Sequence, residues 1–487
     1  MILTQEREFL KAQKCFAGLI ATVQKAFEDG QRIDELERSV FPELLHLGLT
    51  LVATFVAKHG DGNVGATTTD QDGNTCKRLP EKHTRPYKSV FGALTIERYV
   101  YGSREGQKIA AVPLDQRLGL PASDFSYLLE DWCQRLCIKE AFGETKQSLQ
   151  ALLGLPMSVR TLEAMNQRVA EFSDGFRDQQ APPPAEEEAA ILVVTADGKG
   201  VPMRRPLEER VRGHHRRTKG EKANKKQMSY VGAVYTIAPF KRTTKDVLDE
   251  VFRREKAKDR PRPQHKRVRV EMTQLLENEQ VQNGKETLFA LLSDDVVRRN
   301  RGHDRPLVCL LDGERALWEK RQEYFPHAIG VLDLYHVMEK LWLAAHAWHG
   351  EGSDAAETFV TARLQQLLEG KVAQVIAGLR RRLQTHGLSK EKKRTVQNVI
   401  RYFKNNREHM RYDEYMAAGY PIGSGVVEGA CRHVVKDRME QSGMRWTVAG
   451  AQALLDTRSL YLNGDWDEFM SYRIETEQAQ LYGQMAV

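Results

Sequence analysis

Three acidic residues sit in frames that could do chemistry. Asp197 ends the apolar run Ile-Leu-Val-Val-Thr-Ala-Asp-Gly-Lys-Gly (191–200), and Asp312 ends Leu-Val-Cys-Leu-Leu-Asp-Gly (307–313). Glu428 opens a predicted amphipathic helix in Pro-Ile-Gly-Ser-Gly-Val-Val-Glu-Gly-Ala-Cys-Arg (421–432). Two aspartates at strand ends and a distant glutamate on a helix can bring oxygen ligands from separate elements to one point, as two-metal phosphoryl transfer requires. Singly, each has a plainer reading. An Asp-Gly pair after a strand can be a turn, with the Asp bonding backbone and the Gly at positive φ. A Glu near a helix start is stabilised by the helix dipole. Together they say more, because both aspartates fall at the C-terminal ends of predicted parallel strands, where open sheets place their sites. Gly423-Ser424-Gly425 would let backbone approach closely just ahead of Glu428.

The elements that must position these residues follow from periodicity. Residues 1–60 carry apolar positions every three or four residues (Phe9, Phe16, Ile20, Val23, Phe27, then Leu44 to Leu51 after Pro42). They predict a helical hairpin whose apolar face packs on the rest of the protein or on a second subunit. Residues 60–83 read as a flexible loop, and 87–101 as a small β hairpin closed by Pro113-Leu114-Asp115. A helix over 144–153, a turn at Gly154-Leu155-Pro156 and Ser158 capping a second helix to about Glu171 make a helix-turn-helix pattern. Arg160, Gln167 and Arg168 would be its DNA-facing side chains; an ordinary helical hairpin gives the same pattern. Pro182-Pro183-Pro184 and the acidic run behind it form a linker whose carboxylates stay solvated.

Past the linker, strands are expected at 190–197, Tyr230–Ile237, 307–312 and His327–Leu332. Helices are expected near Asp246–Arg253, Lys285–Asn300 and Arg315–Tyr324, with a long one from Leu334. This order fits a ribonuclease H-like sheet with the first acidic strand central and the second beside it. The expected organisation is an N-terminal helical region and loop (1–80), a DNA-binding region (81–178), a linker (179–189), an α/β catalytic domain (190–475) with a helical insertion at 337–415, and a tail (476–487).

Composition is compatible with a nucleic-acid partner. The net charge is +7 and the pI about 8.9, and the excess is local. Arg204 to Lys226 is strongly basic, and Arg204, Arg205, Arg210, Arg212, Arg216, Arg217, Lys219, Lys225 and Lys226 would clamp DNA backbone through counterion release. Arg253 to Arg269 is a second basic stretch, and Lys436, Arg438, Arg445 and Trp446 are further candidates for holding a DNA end. Charge runs are also commonly just solvated loops. The 6 cysteines are scattered without a CxxC pair, which argues against a disulfide framework or a structural zinc. No signal peptide is legible and no stretch is read as approaching a membrane span, so the expected location is the cytoplasm. A Walker-type phosphate loop is absent.

The frames Thr-Ala-Asp-Gly-Lys-Gly-Val, Leu-Leu-Asp-Gly-Glu-Arg-Ala-Leu-Trp and Gly-Tyr-Pro-Ile-Gly-Ser-Gly-Val-Val-Glu-Gly-Ala-Cys-Arg resemble those of DDE-type bacterial insertion-sequence transposases, most closely the ISKra family. Val-Leu-Asp-Leu-Tyr-His-Val (331–337) is similar to a Cys/Asp-x-x-His signature of several DDE superfamilies and falls on Asp333 and His336. The resemblance spans about residues 85–475. It implies a ribonuclease H-like catalytic domain in which Asp197, Asp312 and Glu428 bind two Mg²⁺ (or Mn²⁺) ions, with Asp197 bridging both. It also implies cleavage of the element's ends by water, then attack of the freed 3′ hydroxyl on target DNA. Double-stranded DNA and a second copy of the chain would be the partners, without a membrane. Asp333 and His336, one helical turn apart, are assigned a supporting role; a helix-start Asp and a packed His are the plainer alternative. His346 and His349 read as surface residues or DNA contacts. Two other functions compete: a metal-dependent nuclease or resolvase on the same fold, and a catalytically silent DNA-binding derivative.

Overall fold

The computed structural model describes residues 2–102, 109–204, 226–254, 259–275, 280–385 and 387–483. The chain divides into two compact units, Met1–Phe176 with Asp465–Val487, and Arg177–Gly464.

In the first unit, α1 (Ile2–Glu28) and α2 (Ile33–Lys58) form the expected hairpin, but α2 runs through Pro42 instead of starting after it. α2 also corrects the reading that no stretch approaches a membrane span. Its charges crowd into the first turns, leaving an 18-residue window of mean hydropathy 1.7, and by length and composition it could cross a bilayer. The expected loop at 60–83 contains β1 (Thr67–Thr69) and β2 (Thr75–Arg78). Asp70 makes that hairpin out of polar sequence: its Oδ1 accepts from the Asp72 and Asn74 N–H groups, and Gly73 takes φ +80°. The expected second hairpin is present as β3 (His83–Ser89) and β4 (Gly92–Arg98), and β5 (Tyr101–Gly102) joins β2. Pro113 does not close a turn but starts α3 (Pro113–Leu118), where buried Asp115 accepts from Arg85 and Arg98, each at 2.7 Å. α4 (Tyr127–Lys139), α5 (Phe142–Leu153) and α6 (Val159–Ala170) follow. Gly154 ends α5 in the left-handed region (φ 66°), and Ser158 caps α6 by accepting from the Thr161 N–H. The unit boundary falls within α7 (Ser173–Gln179).

The second unit is built on a five-stranded mixed sheet. β6 (Ile191–Pro202) is central, flanked by antiparallel β7 (Lys226–Ile237) and parallel β11 (Leu307–Leu311); β8 (Gln264–Met272) and β12 (Ile329–Leu332) are the edges. Between β7 and β11 come α8 (Thr244–Val251), the short pair β9 (Gln274–Leu275) and β10 (Val281–Gln282), and α9 (Gly284–Arg299). α10 (Arg315–Tyr324) links β11 to β12, and α11 (Leu334–Trp348) leaves β12. The stretch after α11 is helical as expected: α12 (Asp354–Leu368), α13 (Val372–Thr385), α14 (Lys390–Asn405) and α15 (Tyr412–Ala418). α16 (Gly425–Ala430) passes through a wide turn, Cys431–Lys436, into α17 (Asp437–Met439), and α18 (Val448–Asn463) ends the unit.

Side-chain alternation along the strands serves two cores. Ile191, Val193, Val308 and Leu310 face α11, α12 and α14; Leu192, Val194, Cys309 and Leu311 face α9 and α10. Four expectations change here. β6 does not end at Asp197, because antiparallel pairing with β7 carries it on to Pro202, although parallel pairing with β11 stops at Ala196. The second basic stretch is partly strand β8, and Arg267 is bound to Asp295. Glu188 of the acidic run is not solvated: its carboxylate is buried on Arg299 and accepts from the Thr236 hydroxyl. α19 (Trp466–Tyr482) belongs with the first unit and not with residues 190–464, since its Trp466 donates to Asp131 and its buried Arg473 pairs with Glu130.

Burial pushes the Glu188 carboxyl up, but the Arg299 and Thr236 hydrogen bonds and the Arg299 charge outweigh it and hold it below its ordinary 4.5. Its contribution to stability is therefore present above 4.5 and lost as pH falls through the lower folded value. Glu188→Ala, which leaves the buried Arg299 to the more distant Asp295 carboxylate at 3.6 Å, should cost about 1.5–3 kcal/mol at neutral pH. Urea unfolding at pH 7 checks this, and an unchanged midpoint would refute it.

Candidate active site

The register of two strands builds the site. Leu311 pairs with Ala196, so Asp312 and Asp197 are the next residues on adjacent parallel strands, whose spacing is about 4.8 Å. Both continue the odd–even alternation onto the face covered by α11 and α14. They feel each other, since the Asp197 charge contributes to raising the Asp312 carboxyl. Burial is the larger cause there, while the Glu314 N–H (2.8 Å to Oδ1) and the His336 charge pull the other way. That Glu314 bond is the expected turn chemistry for Asp312. Neither Gly198 nor Gly313 takes the positive φ expected of an Asp-Gly turn. Gly313 is required for another reason: a Cβ there would collide with the Tyr402 ring from α14.

Glu428 arrives from the third element. Its carboxyl is raised by partial burial, then by the Asp333 charge; the Ser424 hydroxyl (3.2 Å to Oε1) and His336 lower it, and Asp197 raises it again. Among the described residues none of Asp197, Asp312 and Glu428 forms an ion pair. Asp197 instead accepts from its own Gly198 N–H at 2.6 Å and from the Cys431 thiol at 3.4 Å. Cys431, three residues past Glu428, is held well above its usual thiol value by burial and by Asp197. Sequence reading passed over Cys431 and Tyr402; the one available signal was the Glu-Gly-Ala-Cys spacing, which puts Cys431 one turn from Glu428.

Asp333 connects the pieces. It is fully buried at the end of β12 and caps α11, accepting from the His336 N–H at 3.2 Å. The same Oδ2 takes the His336 ring Nδ1 at 2.6 Å, and Oδ1 takes the Ser424 N–H at 2.8 Å. Its own N–H donates to Leu311 O at 2.8 Å, and the next N–H, Leu334, donates to Ile422 O at 2.9 Å. One carboxylate thus ties the Asp312 strand, the start of α11 and the loop leading to Glu428. The Asp333 hydrogen bond, opposed by burial, keeps His336 protonated up to about 9. Asp333, His336 and Glu428 also form a group whose ligand atoms lie within 4.8 Å of one another.

The DNA-binding candidates separate. Arg205, Arg210, Arg212, Arg216, Arg217, Lys219 and Lys225 lie outside the described residues. Arg204 and Arg445 are exposed and close together, because the Arg204 N–H donates to Trp446 O at 2.8 Å. Lys226 is bound to Glu440 at 2.6 Å. Lys436 and Arg160 are exposed. Arg438 is not a surface cation: it is completely buried, over the Trp446 ring and against Met444. Arg168 is half-buried on Glu130. Arg254 and Arg260 of the second basic stretch pair with Glu357 and Glu250. His349 is not a free surface residue either, since its Nε2 meets Arg382 at 2.9 Å, and burial and that charge lower its pKa. His346 is half-buried beside Trp342.

The chain matches no protein-family model and no curated protein.

In the metal-free protein the His336 ring should titrate near 9 and move toward its ordinary 6.5 in Asp333→Asn, which keeps a capping side chain but removes the charge. Because the folded value is raised, the stabilisation is complete below 6.5 and lost as pH rises through about 9. An NMR titration reads this directly, and a wild-type midpoint near 6.5 would contradict it. Asp333→Ala, which strands several donors, should cost about 2–4 kcal/mol in denaturant unfolding.

Proposed function

We propose that the chain is a metal-dependent DNA transposase with a ribonuclease H-like catalytic unit. The observation that carries this reading is the side-by-side placement of Asp197 and Asp312 at the end of the β6–β11 pairing, with Glu428 coupled to Asp197 from a separate helix. The strand order β12-β11-β6-β7-β8, with an antiparallel β6-β7-β8 meander and parallel β11 and β12, supports the fold assignment.

The donor set fits hard divalent cations. It offers carboxylate oxygens from three elements, no thiolate, and negative charge that repels itself when no cation is bound. Asp197, Asp312 and Glu428 would hold two Mg²⁺ or Mn²⁺ ions. Bound there, such ions supply charge neutralisation at a phosphodiester and a more acidic attacking water. The chain's own groups do the rest. His336, protonated and turned by Asp333 so that Nδ1 is occupied, leaves its Nε2–H for a phosphate oxygen. Arg204 and Arg445, at the far end of β6 about 23 Å along the strand from Asp197, would hold the DNA backbone beyond the reacting bond. Water cleaves at the element's end, and the freed 3′ hydroxyl attacks target DNA in line at the same carboxylates.

The Asp333–His336–Glu428 group favours a second reading, a hydrolytic site built on one ion. Against it, both Asp333 oxygens already accept hydrogen bonds.

Incubation of the protein with a labelled DNA fragment carrying its element's end, a plasmid target and Mg²⁺ tests the proposal. Asp197→Asn, Asp312→Asn and Glu428→Gln should each lower cleavage and joining by roughly 10²–10³-fold or more while sparing end binding, and chelation should abolish both. Cleavage without joining would make the chain a nuclease. Joining that survives any one substitution would remove that residue from the site.

A further inference from the structure

We infer that the second unit carries a binding site for a small organic acid, a carboxylate on an apolar body, in the pocket between β7, α8, the start of α11 and the segment 419–426. Tyr235 pairs with Val193 and Ile237 with Ile191, so both side chains leave β7 on the face covered by α11. Val247 and Val251 of α8 and Ile422 and Val426 of the returning segment complete an apolar wall round a cavity of about 270 Å³. Ligand pockets usually run to ~300–1,000 Å³, so the occupant is one compact body and not a chain.

Two polar groups in this apolar setting lack partners. The Tyr235 side chain is 2 % exposed, and its hydroxyl has no hydrogen-bond partner among the described residues. Burial holds that phenol above its ordinary value, so it stays a neutral donor. Arg242, just beyond β7, lies over the Phe240 ring; its Nε is buried without an acceptor, and Nη2 reaches the Tyr420 carbonyl at 3.3 Å. Among the described residues no carboxylate pairs with it, because Glu250, the acid in the lining, is bound to Arg260. Lost hydration, then the Arg260 charge, pull the Arg242 guanidinium down to about 10, against Tyr335 and Asp246. A guanidinium taken out of water is costly unless it is paired.

The lining selects the occupant. A nucleobase is neutral and would leave the guanidinium without a counter-charge. A DNA backbone brings one charge per nucleotide and needs an open row of cations, whereas this pocket offers one unpaired cation among the described residues. A carboxylate meets the requirement. Its oxygens accept from Arg242, the Tyr235 hydroxyl is a further donor in the same cavity, and its apolar body packs on Ile237, Val251 and Ile422. Gly423 and Gly425 also line the pocket, on either side of Ser424, whose N–H Asp333 holds. An occupant therefore lies against the backbone that leads to Glu428, although its binding does not depend on the metal chemistry proposed above.

Titration of the full chain with phenylacetate, a one-ring carboxylate, read by saturation-transfer difference NMR, tests the site. The wild type should bind with a Kd of roughly 0.1–1 mM, as about ten heavy atoms yield. Neutral 2-phenylethanol, with the same body, and acetate, with the same charge, should each bind at least about 10-fold more weakly. Arg242→Gln should weaken phenylacetate at least about 10-fold, and Tyr235→Phe a few-fold. Because Arg242 has no counter-charge, Arg242→Gln should leave the Tm of the ligand-free protein unchanged or raised, which separates lost binding from lost folding. Tyr235→Phe and the two control ligands decide the matter if that variant fails to fold. A wild type that does not bind phenylacetate, equal binding of 2-phenylethanol, or unchanged affinity in Arg242→Gln overturns the proposal. So does displacement of phenylacetate by an oligothymidylate, which would assign the pocket to nucleic acid.

Discussion

The site depends on one buried carboxylate that is not itself among the three proposed metal ligands. Asp333 lies at the end of β12, bonded through its backbone to Leu311, the residue just before Asp312, and through its side chain to Ser424, four residues before Glu428. The helix that carries Glu428 starts from a turn containing Gly423 and Gly425, and the Ser424 bond helps fix where that helix begins relative to the strand ends. Tying Ser424 and the α11 terminus to the same two oxygens converts that turn into part of the sheet's end. Gly423 lets this happen because its backbone lies against the Tyr335 ring, where a Cβ would collide.

The carboxylates gathered in this way are held at a cost. Asp312 and Glu428 are both raised, by lost hydration first and by neighbouring negative charge after it. Among the described residues, the cation whose charge lowers both is His336, maintained by Asp333, and hydrogen bonds come from Glu314, Ser424 and Cys431. That is too little to neutralise three acids. Carboxylates gathered on a rigid sheet end without an ion-pair partner among the described residues are what the proposed divalent-cation site needs, and strain of this kind gathers at functional positions.

What the sequence made legible is what short-range physics controls. Gly154 and Ser158 announced the turn between α5 and α6 because a left-handed cap and an N-cap are local choices. The two acidic strands were visible as apolar runs, and the N-cap half of Asp333's role could be read from its position one turn before His336. Its bond to Ser424, 91 residues away, could not. Nor could the contacts of Cys431 with Asp197 or of Tyr402 with Gly313, which exist only once distant helices pack. Charge misled in the opposite direction: Arg438 and Glu188 read as surface groups because sequence shows a charge but not whether a partner buries it. The polar segment around Asp70 read as loop because its strands are short and its turn bonds are made by the very residues that suggest disorder.

The central claim is that Asp197 and Asp312, with Glu428, form a divalent-cation site. Anomalous diffraction from crystals soaked in Mn²⁺ tests it most directly. The account predicts anomalous density between the Asp197 and Asp312 carboxylates, with Glu428 drawn in as a further ligand. Density at Asp333 and His336 alone, or none near either aspartate, would contradict it.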